Sequence, residues 1–334
     1  MPDYAHIHAA IARLPRVRLA LTPAPLHEAP NLSRALGGPR IFIKRDDLTG
    51  IAFGGNKLRN LEFRLAHALT ESPDTIIVGL DLQSNSARQT AGACNKLGLR
   101  CILVLEGTPP AHIQGNLLVD YLMGAEVIFA PTRAAQRAAL DATAAICREA
   151  GGRPHILNDN PLFDIASAVA YLETTLEIID QLDAAPTALY MSSSGKGQAG
   201  LVLARRLTNT GMQVHGITAT AEFDVPARTA AIANETARAL GLDLHITAEE
   251  IANDAGHVGA GYGIPSEEGI AATKLFARTE GIVLDPIYTG KAAAGMIAHI
   301  RAGRFTANDS LVFVHTGGGP AIFTWNELWL PDGT

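Results

Sequence analysis

Apolar residues along the chain follow two spacings. Short solid runs such as DTIIVGL (74–80) and RCILVLEG (100–107) have strand length, and RIFIKRDD (40–47) is a strand that ends in charge. Between the runs lie stretches with helical spacing. NKLRNLEFRLAHALTE places Leu58, Leu61, Leu65 and Leu69 on one stripe, with Ala68 near it. NSARQTAGACNKLGL predicts a helix that closes on Gly98, and NLLVDYLMGAEVIFA predicts helix, glycine, strand. AAQRAALDATAAICREAGG is a long alanine-rich helix. The pattern then repeats: TALYMSSSG (strand, loop), QAGLVLARRLTNTG (helix), QVHGITAT (strand), a helix near 225–241, and SLVFVHTGGGP (strand, loop).

Alternating strands and helices predict an α/β fold with parallel sheets and right-handed crossovers. Sites in such folds lie at the carboxyl ends of strands. The units cluster at about 52–165 and about 166–334. Two domains are therefore expected: a small one over 52–165, and a large one from 1–51 plus 166–334, with the active site in the cleft between them. The proline-rich lead TPAPLHEAPNLSRALGG is expected to fold back onto the second half. No internal repeat or low-complexity tract is present.

Composition narrows the class. The chain has 334 residues, a net charge of −6 and no basic run, which argues against a nucleic-acid partner. No apolar run approaches the ~20 residues of a membrane span, and the start MPDYAHIHAAIARLPR lacks the pattern of a signal peptide. Cys94, Cys101 and Cys147 have no metal or disulfide spacing and are expected to be buried thiols in a reducing compartment. A cytoplasmic location is the expectation.

Three loops could carry chemistry. SSSGKGQAG (192–200) lies between a strand and a helix, where small residues turn successive N–H groups inward to make an anion pocket; a flexible turn is the plain alternative. It matches neither the Walker spacing nor the dinucleotide fingerprint. QSNSAR (83–88) and HTGGGP (315–320) also follow strands, and are read equally well as a helix cap and a tight turn. Lys57, in FGGNKLRN, is one of six lysines and follows two glycines. Three readings are open for it: a phosphate clamp, a desolvated amine that attacks a carbonyl, or a solvated surface lysine. A phosphorylated aldehyde joins an amine at 57 to an anion pocket at 192–198, and the cofactor of that description is pyridoxal 5'-phosphate.

Five blocks carry a resemblance: KRDDLTGIAFGGNKLRNLEF, QSNSARQTAGACNKLGL, GYGIPSEEGI, RTEGIVLDPIYTGKAAAGM and FVHTGGGPAI. In this order, over about residues 20–324, the chain resembles the D-cysteine desulfhydrase and 1-aminocyclopropane-1-carboxylate deaminase family of pyridoxal-phosphate enzymes. The resemblance implies a two-domain, three-layer αβα fold of the tryptophan synthase β type (fold type II), and a homodimer. It implies that Lys57 forms the Schiff base, Asn85 bonds the ring hydroxyl, and Ser84 acts near the substrate carboxylate or as an acid–base group. Ser194, Gly195, Lys196, Gly197 and Gln198 match the phosphate cup; Tyr288 and Tyr262 match two active-site tyrosines. Gln83 and Ser86 match the substrate side, beside Ser84 and Asn85. Thr289 and Thr316 match positions near the cofactor ring, where deaminases carry glutamate and leucine and desulfhydrases carry hydroxyl residues.

The chain departs from the family pattern in three places. Lys196 and Gly197 stand where relatives have glycine and threonine, so that Lys196 either replaces a hydroxyl by charge or is a solvated rim lysine. Ser86 stands where relatives have histidine or glutamine, and GLDLQSN replaces a glycine–alanine lead. The implied reaction is β-elimination on a small amino acid, D-cysteine giving pyruvate, sulfide and ammonia. L-cysteate sulfo-lyase and the cyclopropane-acid deaminase are the alternatives within the family. A non-catalytic amino-acid-binding protein on this scaffold would be expected to have lost Lys57 or Asn85, and both are present. No metal is implied.

Overall fold

The computed structural model describes residues 4–160, 162–220 and 222–330. In chain order the elements are α1 (Ala5–Ala12), β1 (Leu26–Glu28), α2 (Pro30–Leu36), β2 (Arg40–Arg45), α3 (Lys57–Leu69), β3 (Thr75–Asp81), α4 (Asn85–Leu97) and β4 (Arg100–Glu106). There follow α5 (Gly115–Leu122), β5 (Glu126–Ala130), α6 (Arg133–Glu149), β6 (Pro154–Ile156), α7 (Ile165–Asp180), β7 (Ala188–Ser193), α8 (Lys196–Thr208) and β8 (Gln213–Thr218). The last are α9 (Val225–Leu240), β9 (Ala252–Asp254), α10 (Glu267–Glu280), α11 (Thr289–Arg301) and β10 (Ser310–His315). The chain divides into two compact units. One takes residues up to 14, 21–48 and 167–319; the other takes 15–20, 49–166 and the segment from 320 on.

The second of these units holds a four-stranded parallel sheet in the order β5-β4-β3-β6. Side chains of a strand alternate between faces. Ile76, Val78, Leu103 and Leu105 accordingly pack with Leu58, Leu61 and Leu65 of α3 and Ala87, Ala91 and Cys94 of α4. Ile77, Ile102 and Val104 pack on the other face with Leu140, Ala144 and Cys147 of α6. Because both faces are covered, the strands read as solid apolar runs. All three thiols are free and buried.

The other unit holds a six-stranded sheet, β1-β2-β10-β7-β8-β9. Every pairing is parallel except β1 with β2. Ile41, Ile43, Tyr190, Ile217, Leu311 and Phe313 form one core with Leu32 of α2, Phe276 of α10 and Met296 of α11. On the opposite face α8 packs on β7 and β8. The proline-rich lead contains β1 and α2, and groups with 167–319.

The sequence reading assigns no element to 165–180, 267–280 or 289–301, where α7, α10 and α11 lie. The reason is clearest for α11, which is buried on nearly every side and rich in alanine and glycine. A helix without a polar face has no apolar stripe to detect.

Glu62 of α3 shows how a buried charge is built in. Its side chain is fully buried and accepts from Arg16 Nε (2.7 Å) and from the backbone N–H groups of Leu19 (2.7 Å) and Ala20 (2.8 Å), fixing segment 15–20. Removing one partner of a buried pair strands the other. Glu62→Ala should lower stability by about 3–5 kcal/mol in urea unfolding, whereas Glu28→Ala, which removes the exposed Arg40 pair, should lower it by less than about 1 kcal/mol.

Candidate active site

The turn that carries Lys57 is built from an unfavourable backbone. Ala52, Phe53, Gly54 and Gly55 have φ of 50°, 63°, 62° and 125°, four consecutive residues in the positive region. A non-glycine residue there costs about 1–2 kcal/mol and persists only where its surroundings over-determine it. Those surroundings are specific. The Thr49 hydroxyl donates to the Gly55 carbonyl (2.9 Å) and accepts from the Gly55 N–H (2.8 Å). Arg88 Nη1 donates to the Gly54 carbonyl (3.1 Å), and the Leu58 N–H donates to Gln89 Oε1 (3.0 Å). A Cβ on Gly55 would stand 2.4 Å from Gln89 Nε2. Lys57 follows as the first residue of α3, half-buried.

The start of α4 lies against the same supports. Ser84 is its N-cap and accepts from the N–H groups of Ser86 (3.1 Å) and Ala87 (3.3 Å). Gln89 Nε2 donates to the Asn85 carbonyl (3.1 Å), so one side chain ties the starts of α3 and α4 together. Asn85 Oδ1 accepts from Asn116 Nδ2 (2.9 Å). The Gln83 side chain is engaged within the protein: Oε1 accepts from the Asn116 N–H (2.9 Å) and Nε2 donates to the Gln114 carbonyl (3.1 Å). Asp120 lies buried in the same unit with neither carboxylate oxygen bonded among the described residues. Burial pushes its pKa up to about 7, against the opposing pull of Arg88.

The other unit gathers the remaining residues at the carboxyl edge of its sheet. β7 and β10 are parallel neighbours, so SSSGKGQAG and HTGGGP leave that edge side by side. Gly195 has φ of 100°, and no side chain caps α8, which begins at Lys196. The Ser193 hydroxyl accepts from the Gly195 N–H (3.1 Å) and donates to Gln198 Oε1 (2.6 Å). Gln198 Nε2 donates to the Ala252 carbonyl (2.8 Å). The Gln198 side chain, expected at the cofactor, is thus fully buried and braces the loop from behind. A Cβ on Gly197 would stand 2.7 Å from the Met191 side chain and 2.9 Å from the Tyr171 ring. Ser194 is exposed.

Asp285 orders the turn that leads into α11. Its carboxylate accepts from the N–H groups of Ile287 (2.9 Å), Tyr288 (2.7 Å) and Thr289 (3.0 Å). Thr289 is fully buried, and its hydroxyl donates to Asp285 Oδ2 (2.6 Å) and accepts from the Asp285 N–H (2.8 Å). Its side chain therefore shapes this loop. A Cβ on Gly318 would stand 2.7 Å from Asp285, so the segment after the half-buried Thr316 packs onto the same carboxylate. The Tyr262 and Tyr288 hydroxyls are 2.6 Å apart. Lys291 is buried and donates to the Gly261 carbonyl (2.9 Å); desolvation lowers its pKa, with Asp285 opposing. His315 accepts from the Gly317 N–H at Nδ1 (3.3 Å), leaving Nε2 to donate to the Val283 carbonyl (3.0 Å). Burial lowers its pKa, with Asp47 opposing.

The sequence reading missed Arg88, Gln89, Asn116, Asp285 and Lys291. For Arg88 a signal existed: it follows Ala87 and precedes Ala91 on the buried stripe of a recognised helix, a place where a cation needs a reason.

Among the described residues no group of three histidine, cysteine or acidic side chains could hold a metal, and no helix is long and apolar enough to cross a membrane. The profile of the family described as "Pyridoxal-phosphate dependent enzyme" matches residues 17–317. A D-cysteine desulfhydrase of Klebsiella pneumoniae subsp. pneumoniae is 39% identical over 329 residues, covering 95% of this chain and 98% of that protein. One of Salmonella typhi is 36% identical with the same coverage. A solved structure titled as an ACC deaminase homologue superposes with a TM-score of 0.86 at 30% identity, covering 97% of this chain and 98% of that one. Threonine deaminase isoform 2 of Solanum lycopersicum shares the fold, with a TM-score of 0.67 at 17% identity. The chain belongs to the pyridoxal-phosphate dependent enzyme family. It is a fold-type II α/β protein, and its cofactor is pyridoxal 5'-phosphate.

The residues present fit that group. The uncapped start of α8, the glycine geometry at 195 and a lysine in the first helical turn favour an anion.

Asp120 gives this unit a distinctive pH response. Its folded-state pKa lies above the ordinary carboxylate value of about 4, so its stabilising contribution is complete below about pH 4. That contribution is lost as pH rises through about 7. Urea unfolding at a series of pH values should show this loss in the wild type and a flatter profile between those limits in Asp120→Asn.

Proposed function

We propose that this enzyme is a D-cysteine desulfhydrase, converting D-cysteine and water to pyruvate, hydrogen sulfide and ammonia. One observation carries this reading: the near-full-length identity to D-cysteine desulfhydrases. Threonines at 289 and 316, where the resemblance sets glutamate and leucine in deaminases, support it. The bound cofactor supplies an aldehyde that captures amino groups and a ring that takes up the electron pair released at Cα.

Lys57 Nζ would hold the cofactor, and its amine would serve as the base for the α-proton. Loop 194–198 and the start of α8 would hold the phosphate through backbone N–H groups other than that of Gly195, which is bonded to Ser193, and Lys196 would add charge in place of a threonine hydroxyl. Asn85 Nδ2 would donate to the ring hydroxyl. Ser84 keeps its hydroxyl hydrogen while its oxygen caps α4, so it can donate to the substrate carboxylate, with Ser86 beside it. Tyr288 and Tyr262, hydroxyl to hydroxyl, hold a proton for delivery to the departing sulfur. Thr289 holds the Asp285 loop that presents Tyr288. Thr289 stands where the resemblance sets the glutamate of deaminases, and Thr316 where it sets their leucine. A cytoplasmic homodimer is part of the same proposal.

Keto-acid release should be measured with D-cysteine, L-cysteine, L-cysteate, β-chloroalanine and 1-aminocyclopropane-1-carboxylate. D-cysteine should give the highest kcat/KM among the natural substrates, by at least about tenfold. A higher value for L-cysteate or the cyclopropane acid would overturn the assignment. Tyr288→Phe should lower kcat by about 10²–10⁴-fold, the usual effect of losing an acid–base group, with cofactor absorbance retained.

A further inference from the structure

Asn116 is fully buried and every polar atom of its side chain is engaged. Its Oδ1 accepts from Arg88 Nε (2.7 Å), and its Nδ2 donates to the Gln83 carbonyl (2.9 Å) and to Asn85 Oδ1 (2.9 Å). Two of these partners admit one polarity only. A guanidinium can only donate, and a backbone carbonyl can only accept. The Asn116 amide is therefore fixed in a single orientation, with its NH₂ toward Asn85. The atom of Asn85 that meets this NH₂ must be an acceptor, namely Oδ1. The Asn85 NH₂ is left on the other side of its amide plane, with no hydrogen-bond partner among the described residues.

Arg88 is itself held. It is fully buried, its Nη1 donates to the Gly54 carbonyl (3.1 Å), and Nη2 has no partner among the described residues. Leaving buried donors and acceptors unpaired is costly, and here Arg88 Nη2 and both Asp120 oxygens are in that state. What Arg88 supplies here is polarity, since a guanidinium Nε–H can only donate.

We propose that Arg88 and Asn116 are positioning residues that set the polarity of the Asn85 amide, so that it presents a donor to the ring hydroxyl of pyridoxal phosphate. This rests on the functional reading above. Asn85 alone would present either end of its amide. With Asn116 behind it, only the donor faces an oxygen that carries negative charge when ionised. The same guanidinium holds the Gly54 carbonyl of the Lys57 turn, so one side chain sets both contacts.

The test uses an isosteric reversal. Asn116→Asp retains an acceptor for Arg88 but puts a second acceptor toward Asn85, which must turn its NH₂ inward and its oxygen outward. Apoprotein affinity is measured by equilibrium dialysis for pyridoxal phosphate and for its 3-deoxy analogue, which lacks the hydroxyl. Affinity for pyridoxal phosphate should fall about tenfold or more, the worth of a hydrogen bond to a charged group. Affinity for the analogue should change less than about twofold, and Asn116→Asp should have no further selective effect in an Asn85→Ala background. Should Asn116→Asp not fold, Asn116→Ser, too short to reach Asn85, carries the same expectation with a smaller selective loss. Equal losses for both compounds, or none for either, would overturn the proposal and leave Asn116 a purely structural residue. Wild-type apoprotein that bound neither compound would overturn the functional reading itself.

Discussion

Four successive residues with positive φ are stable only if something beneath them takes up their polar groups. In this chain that support comes from Thr49 and from two neighbouring residues of α4, Arg88 and Gln89. The constraint reaches beyond the turn. Gln89 also bonds the Asn85 carbonyl, and Arg88 reaches Asn85 through Asn116. The backbone strain that sets Lys57 at the head of α3 and the amide of Asn85 are thus both tied to one patch of α4, aided by Thr49 and Asn116.

The other unit solves a different problem. Its sheet ends in loops that need small residues and an unsatisfied helix start, and each loop is stiffened from behind by a side chain turned inward. Gln198 does this for 194–198, and Asp285 does it for the segments around Tyr288 and Gly318. Backbone N–H groups are then free to meet an anion without a flexible side chain between. Lys196 lies in the first turn of α8, where it would add charge beside such an anion.

The sequence made the βα alternation visible because both sheets are covered on two faces, which turns their strands into solid apolar runs. It exposed Lys57, Asn85 and the loop at 194–198 through glycine and serine patterns and ordered family blocks. What stayed hidden has a common cause. Gln198 and Thr289 occupy motif positions, yet their side chains point into the protein, and a motif records identity without direction. Arg88, Asn116, Asp285 and Lys291 are buried polar residues whose partners lie far away in the sequence or across a turn; only folding brings their donors and acceptors together. Helix α11 was illegible for the opposite reason, since burial on all sides erased its periodicity.

The central claim is that one amine, Lys57 Nζ, carries the cofactor. The direct measurement is borohydride reduction of the cofactor-loaded protein followed by peptide mass mapping. The expected result is a pyridoxyl adduct on the peptide containing Lys57 and on no other lysine. An adduct on Lys196 or Lys291 instead, or unmodified lysines throughout, would contradict it.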